Sequence, residues 1–143
     1  MVTLFLLLAL VNGDFSQGLN GWNADAGWSA NKGAAVLQTI GASNMCSDAV
    51  TLTGQKQITG SAQVKAQNTD AGYVFVGVRW YDKRGAAMWT EMLDSNEGKP
   101  SRVWQTLQFQ TQVPKRAAAV SFCFFTNAYS GTYRASADNA VMH

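Results

Sequence analysis

Tyr73, Phe75, Arg79 and Tyr81 share one parity within a single run, so an extended backbone places all four side chains on one face. Three rings and a planar guanidinium suit stacking and hydrogen bonding rather than bond breaking. Gly77, between Phe75 and Arg79, is expected to leave a dip where a ligand ring approaches the backbone. Gln63 and Lys65 are expected on a neighbouring strand, with Trp89 and Asn127 near the rim, as further ligand contacts. The competing account is structural. Outward rings on a strand also satisfy sheet propensity and cross-strand packing, or lie beneath a loop or another subunit.

The chain's single histidine is His143, its last residue. Nucleophilic catalysis of the Ser-His-Asp or Cys-His kind needs an internal imidazole, and a histidine zinc site needs several, so neither is expected. Paired carboxylates could still hydrolyse a glycosidic bond. The acids Asp14, Asp25, Asp48, Asp70, Asp82, Asp94 and Glu97 fall in turns, where carboxylates usually cap and solvate. Glu91 and Asp138 fall in strands. No catalytic residue is assigned and no enzyme is expected. Cys46 and Cys123 are too few for a thiolate zinc site. They either bridge or stay reduced as small apolar residues. Nothing else in the sequence marks an oxidising compartment, so free thiols are expected.

Only 14% of the 143 residues are charged, and the net charge is +2. Lys and Arg are scattered along the sequence, so no nucleic-acid partner is expected. Gly, Ala, Ser, Thr, Asn and Gln replace the usual Lys and Glu, which favours strands and tight turns over surface helices.

Val74, Val76, Val78 and Trp80 form the apolar parity of the central run. The same alternation recurs over Arg102–Val113, with Val103, Leu107, Phe109 and Val113 on one side, and over Ala118–Asn127, with Val120, Phe122 and Phe124 inward. Thr59–Ala66 turns Ala62, Val64 and Ala66 inward. Further strands are expected over Ala34–Ile40, Ala49–Thr53, Ala87–Leu93 and Tyr133–Met142. Turns such as Asn12-Gly13-Asp14, Asn68–Gly72 and Asp82–Gly85 separate them. No helical apolar period persists. Trp22, Trp28, Trp80 and Trp104 are assigned to packing. Some nine short strands of this kind describe an all-β, antiparallel jelly-roll β-sandwich in a single domain, residues 12–143.

Met1–Val11 reads MVTLFLLLALV, apolar on both faces if extended. No Lys or Arg precedes it and the cleavage signal is poor, so a buried strand or docking arm is preferred to a signal segment. Eleven residues are too few to span a bilayer, which needs about 20.

Asn12-Gly13-Asp14-Phe15 followed by Gly18-Leu19-Asn20-Gly21-Trp22 resembles the opening of jelly-roll carbohydrate-binding modules of the family 4/9/22 type, in the galactose-binding-like fold. Trp80-Tyr81-Asp82-Lys83-Arg84-Gly85 is similar to their Tyr-Asp-Gly turn. Trp104–Phe109 with Val113-Pro114 is similar to a strand of theirs, and Asp138-Asn139-Ala140-Val141 to their closing strand. The resemblance spans about Asn12 to Met142. It implies a non-catalytic module whose aromatic face binds a glycan, outside the cell or on the surface of a virion or other particle. It requires no cofactor but implies a structural calcium near the N-terminal turn. Asp138 matches that site, whereas Ser16 stands where an acidic residue is common. The alternative is a virion decoration, head-fibre or tail component. In it Met1–Val11 docks on capsid or tail proteins or on identical subunits, and the aromatic face is either glycan-binding or simply an interface.

Overall fold

The computed structural model describes residues 8–68 and 71–143. The first seven residues of the expected apolar arm, and Thr69 and Asp70 of the expected turn, lie outside the described residues. Leu8 to Val11 do not form a strand. Leu8 is buried and Leu10 packs beside it, both against the domain's own core.

Among the described residues, eleven strands build two antiparallel sheets and there is no helix. One sheet contains β1 (Trp22–Ala24), β4 (Ala42–Ser47), β10 (Ala119–Ala128), β7 (Gly72–Tyr81) and β8 (Ala87–Ser95), in that order, with β5 (Val50–Thr51) also paired to β10. The other contains β2 (Trp28–Asn31), β3 (Ala34–Thr39), β11 (Tyr133–Met142), β6 (Gln57–Ala66) and β9 (Gln105–Gln112). We call them the β7 sheet and the β6 sheet. Their inner faces close on one core of Val74, Val76, Val78, Trp80, Val120, Phe122 and Phe124 against Val64, Leu107 and Phe109. Alternation therefore predicted the core side of four long strands correctly, although in β10 the outward Ser121, Cys123 and Phe125 are buried as well.

Three strands were not expected. β1 and β2 are only three and four residues long, and β4 reads ASNMCS, without an apolar alternation. In β4 the side chains of Ser43 and Ser47 are buried because each finds a partner: Ser43 Oγ donates to the Ala26 carbonyl and Ser47 Oγ accepts from the Phe122 amide. The expected strand over Ala49–Thr53 shrinks to Val50–Thr51.

The free-thiol expectation is overturned. Cys46 and Cys123 are directly opposite in the β4–β10 register and form a disulfide, with Cα atoms 4.1 Å apart. Seventy-seven positions separate them in sequence, so only the strand order brings them together. Val103 also departs from expectation. β9 begins only at Gln105, so Val103 lies in the preceding loop and is 71% exposed. Trp104, assigned to packing, is partly exposed, with Lys65 Nζ 4.8 Å from its ring centroid.

The opening motif is structural. Asn12 Nδ2 donates to the Gly18 and Asn20 carbonyls, its Oδ1 accepts from the Gln17 amide, and its carbonyl accepts from Trp22 Nε1. This clasp drives Phe15 into the core, 5.0 Å from the Trp22 ring. Asn96 is a second clasp: fully buried, it accepts the Val74 amide on Oδ1 and donates its own amide to the Val74 carbonyl, closing the start of β7.

Candidate ligand-binding face

The inward residues of β7 fill the core, so Tyr73, Phe75, Arg79 and Tyr81 are on the outer face of the β7 sheet, all partly exposed. The β10 register continues this face: Asn127 stands beside Tyr73, Phe125 beside Phe75, Cys123 beside Gly77 and Ser121 beside Arg79. Asn44 and Cys46 of β4 extend it, and Asn23 of β1 pairs with Cys46.

The rings at the start of β7 form a cluster. Tyr73 and Phe75 meet edge to face at 5.0 Å, and Tyr129 lies 5.9 Å from Tyr73. Asn127 Nδ2 donates to Tyr73 Oη at 3.3 Å, fixing the phenol. Tyr129, in the turn after β10, is 62% exposed, which leaves much of its surface open to a ligand. Phe75 is more engaged: it packs with Phe125 over the disulfide, a small apolar layer separate from the main core. Towards the other end, a groove of about 530 Å³ is lined by Arg79 and Tyr81 of β7, Asn23 and Asp25 at β1, and Asn44 and Cys46 of β4. Asp25 is already engaged, its Oδ2 accepting from the Asn44 amide. Beside Arg79, the Ser121 hydroxyl is buried without a hydrogen-bond partner.

Four of the expected contacts share this face with their neighbours: Tyr73, Phe75, Arg79 and Tyr81, joined by Asn127. Trp89 lies on the adjacent strand β8, at a bulge between the Arg79–Thr90 and Tyr81–Ala87 pairs, and is nearly half exposed. Gln63 and Lys65 are not there. They lie on β6, which pairs with β11 and β9 in the opposite sheet. Gln63 Oε1 accepts from Asn139 Nδ2, and Lys65 is drawn to Trp104. Residue parity fixes which way a side chain points within a sheet but not which sheet a strand joins. The expected dip at Gly77 is also filled. A bulge between Val76–Asp94 and Gly77–Met92 brings the Glu91 carbonyl onto the spot where a Cβ of residue 77 would stand. Gly77 serves the approach of β8, not of a ligand. Sequence reasoning missed Tyr129, because it lies in a turn, and Asn23 and Asn44, because β1 and β4 were not recognised.

No protein-family model matches the chain, and no curated protein matches it. Solved structures do. The chain has the jelly-roll fold of the carbohydrate-binding modules. A family 4 carbohydrate-binding module superposes over 94% of this chain and 98% of its own, at 15% identity and a TM-score of 0.61. The Clostridium thermocellum endo-1,4-beta-D-xylanase 10B structure, with its CBM22-1 and GH10 modules and xylohexaose, matches over 96% of this chain at 15% identity and TM-score 0.69. This chain spans 28% of that one. The enzymatically active domain of tailspike protein 4 of bacteriophage CBA120 matches over 93% at 13% identity and TM-score 0.66, and this chain spans 21% of it.

The two carboxylates expected in strands, Glu91 and Asp138, do not form a pair. Asp94, expected in a turn, lies in β8 with Glu91, its oxygens accepting the Ser95 and Gln108 amides. Glu91 belongs to the β7 sheet, where its Oε2 accepts from Trp80 Nε1 and Thr111 Oγ1. Asp138 belongs to the β6 sheet, at the bulge of β11. Burial pushes the Asp138 carboxyl above its ordinary value, and the nearby Asp14 adds to this, against the opposing bond from the Asn139 amide. Asp14 is held below its ordinary value by the Ser16 amide. A calcium cage needs several oxygen ligands. Among the described residues no group of three or more His, Cys, Asp or Glu stands ready for a metal, and each of these two carboxylates already accepts a backbone amide. Asp14 and Asp138 are the carboxylates at the place where the resemblance implies a calcium, and any further ligands there would be backbone or amide oxygens or water. Among the described residues, no helix is long and apolar enough to cross a membrane.

Proposed function

We propose that this domain is a non-catalytic carbohydrate-binding module and that the outer face of the β7 sheet receives the glycan. The observation that carries this is the aromatic cluster of Tyr73, Phe75 and Tyr129 beside a polar groove holding Arg79, Asn23 and Asn44. Rings stack on the apolar faces of pyranoses, while amides and a guanidinium bond their hydroxyls. The fold shared with carbohydrate-binding modules supports the same reading. So does the disulfide, which suits an extracellular or particle-surface location. Glu91 and Asp94 share β8, but both are engaged, Glu91 by Trp80 Nε1 and Thr111 Oγ1 and Asp94 by the Ser95 and Gln108 amides, which supports binding without cleavage.

A second reading is favoured by the likeness to a phage tailspike domain: the module is mounted on a virion, as a decoration or tail component, and binds glycan from there. The deciding measurement is a glycan array run with the wild type, Tyr73→Ala and Arg79→Ala. Binding that is lost in both variants upholds the site. No glycan bound, or variants that bind as well as the wild type, would leave the structural role alone.

A further inference from the structure

The basic residues look scattered in sequence, but the fold gathers nearly half of them. Lys56 lies in the loop between β5 and β6, Lys83 and Arg84 in the turn between β7 and β8, and Lys115 and Arg116 in the loop between β9 and β10. All five are exposed. The three loops meet at one end of the sandwich and are laced by backbone hydrogen bonds. Val113 donates to Lys56, Ala118 to Tyr81, and Leu52 to Ala118, at 2.7–3.0 Å. The only carboxylate within residues 52–56, 82–86 and 113–118 is Asp82. Its Oδ1 is occupied by the Arg84 and Ala86 amides. Five cations therefore face one engaged acid, in a chain whose net charge is only +2, so the rest of the molecule is net acidic.

This end is continuous with the glycan face. Tyr81 closes β7 at the edge of the turn holding Lys83 and Arg84, and Arg79 lies two residues back on the same outer face. From Tyr73 to Tyr81 the strand runs about 26 Å. A linear polymer lying along β7 would thus pass from a ring platform, over one guanidinium, to five cations. We propose that this end binds a polyanionic polysaccharide, a chain bearing carboxylate or sulfate groups at regular intervals. The class of polymer rests on the glycan reading above, and its charge rests on the loops alone. A lipid surface fits less well, since no large apolar side chain in these loops is exposed to enter it. A DNA duplex fits less well, since among the described residues no helix is present to enter its major groove.

The test uses immobilised polyuronate, sulfated dextran and an uncharged glucan, with duplex DNA and anionic phosphatidylserine vesicles as controls. It compares the wild type with the Lys56→Gln, Lys83→Gln, Arg84→Gln, Lys115→Gln, Arg116→Gln variant and with Tyr73→Ala, each first checked for an unchanged circular dichroism spectrum. We expect the wild type to hold one of the two acidic polysaccharides, less well as salt rises, and the five-site variant to lose about tenfold or more. Which acidic polymer is held separates carboxylate from sulfate recognition. No binding to either acidic polymer, undiminished binding in the variant, or tighter binding to DNA or vesicles overturns the proposal. If uncharged glucan binding depends on Tyr73 while the acidic polymers fail, the glycan face stands and the basic end falls. If the reverse is found, the basic end stands without that face.

Discussion

Cys46 and Cys123 are bonded across β4 and β10 on the outer side of the sheet, where Phe75 and Phe125 cover them, rather than in the main core. The crosslink therefore underlies the aromatic part of the proposed binding face. It also ties together two strands that are far apart in the chain.

Closing a loop of 77 residues limits the unfolded chain strongly. The Cys46→Ala, Cys123→Ala double variant is expected to lose about 4 kcal/mol of stability in urea unfolding. A loss under about 1 kcal/mol would mean that the crosslink is absent or that the unfolded chain is already compact.

Gly77 has no room for a side chain because the Glu91 carbonyl occupies that space. Gly77→Ala is expected to shift β8 outward and cost about 1–3 kcal/mol. Thermal unfolding at equal protein concentration reads the effect. An unchanged midpoint would show that β8 does not fold over the face at its bulge.

Asp138 gives a pH signature. Its carboxyl is raised in the folded protein, chiefly by burial, so the ionised form disfavours folding. That cost is absent well below the ordinary value of 3.8, grows as pH rises through it towards the folded value, and is constant above. Asp138→Asn keeps an oxygen to accept the Asn139 amide. It should therefore melt higher than the wild type at about pH 7 and equal to it at about pH 2. A lower midpoint than wild type that appears only with added calcium would instead make Asp138 a calcium ligand.

The two faces of the sandwich offer rival surfaces, one with Tyr73, Phe75 and Tyr129, the other with Trp104 over Lys65. Removing a central ring from a binding site typically costs about 2 kcal/mol. We expect Tyr73→Ala to weaken glycan binding by about thirtyfold in isothermal titration. Gln63→Ala and Lys65→Ala should change it by less than about twofold. The opposite pattern would move the site to the β6 sheet.

Alternating apolar residues were enough to place Val74, Val76, Val78, Leu107, Phe109, Val120, Phe122 and Phe124 in the core and to turn Tyr73, Phe75, Arg79 and Tyr81 outward. That information is local, because neighbouring strand residues must point to opposite sides. The turn residues punctuated the chain, and the ordered landmarks from Asn12 to Asp138 pointed to the jelly roll. Strand order is not local. Which sheet β6 joins decided that Gln63 and Lys65 lie on the far side of the molecule from Arg79. The β4–β10 register decided that two cysteines 77 positions apart are bonded. The bulge in β8 filled the space over Gly77, and the meeting of three loops turned scattered cations into one basic end. Each of these depends on pairings between distant segments. Such pairings are fixed by the packing of the whole sandwich, not by the residue pattern of any one strand.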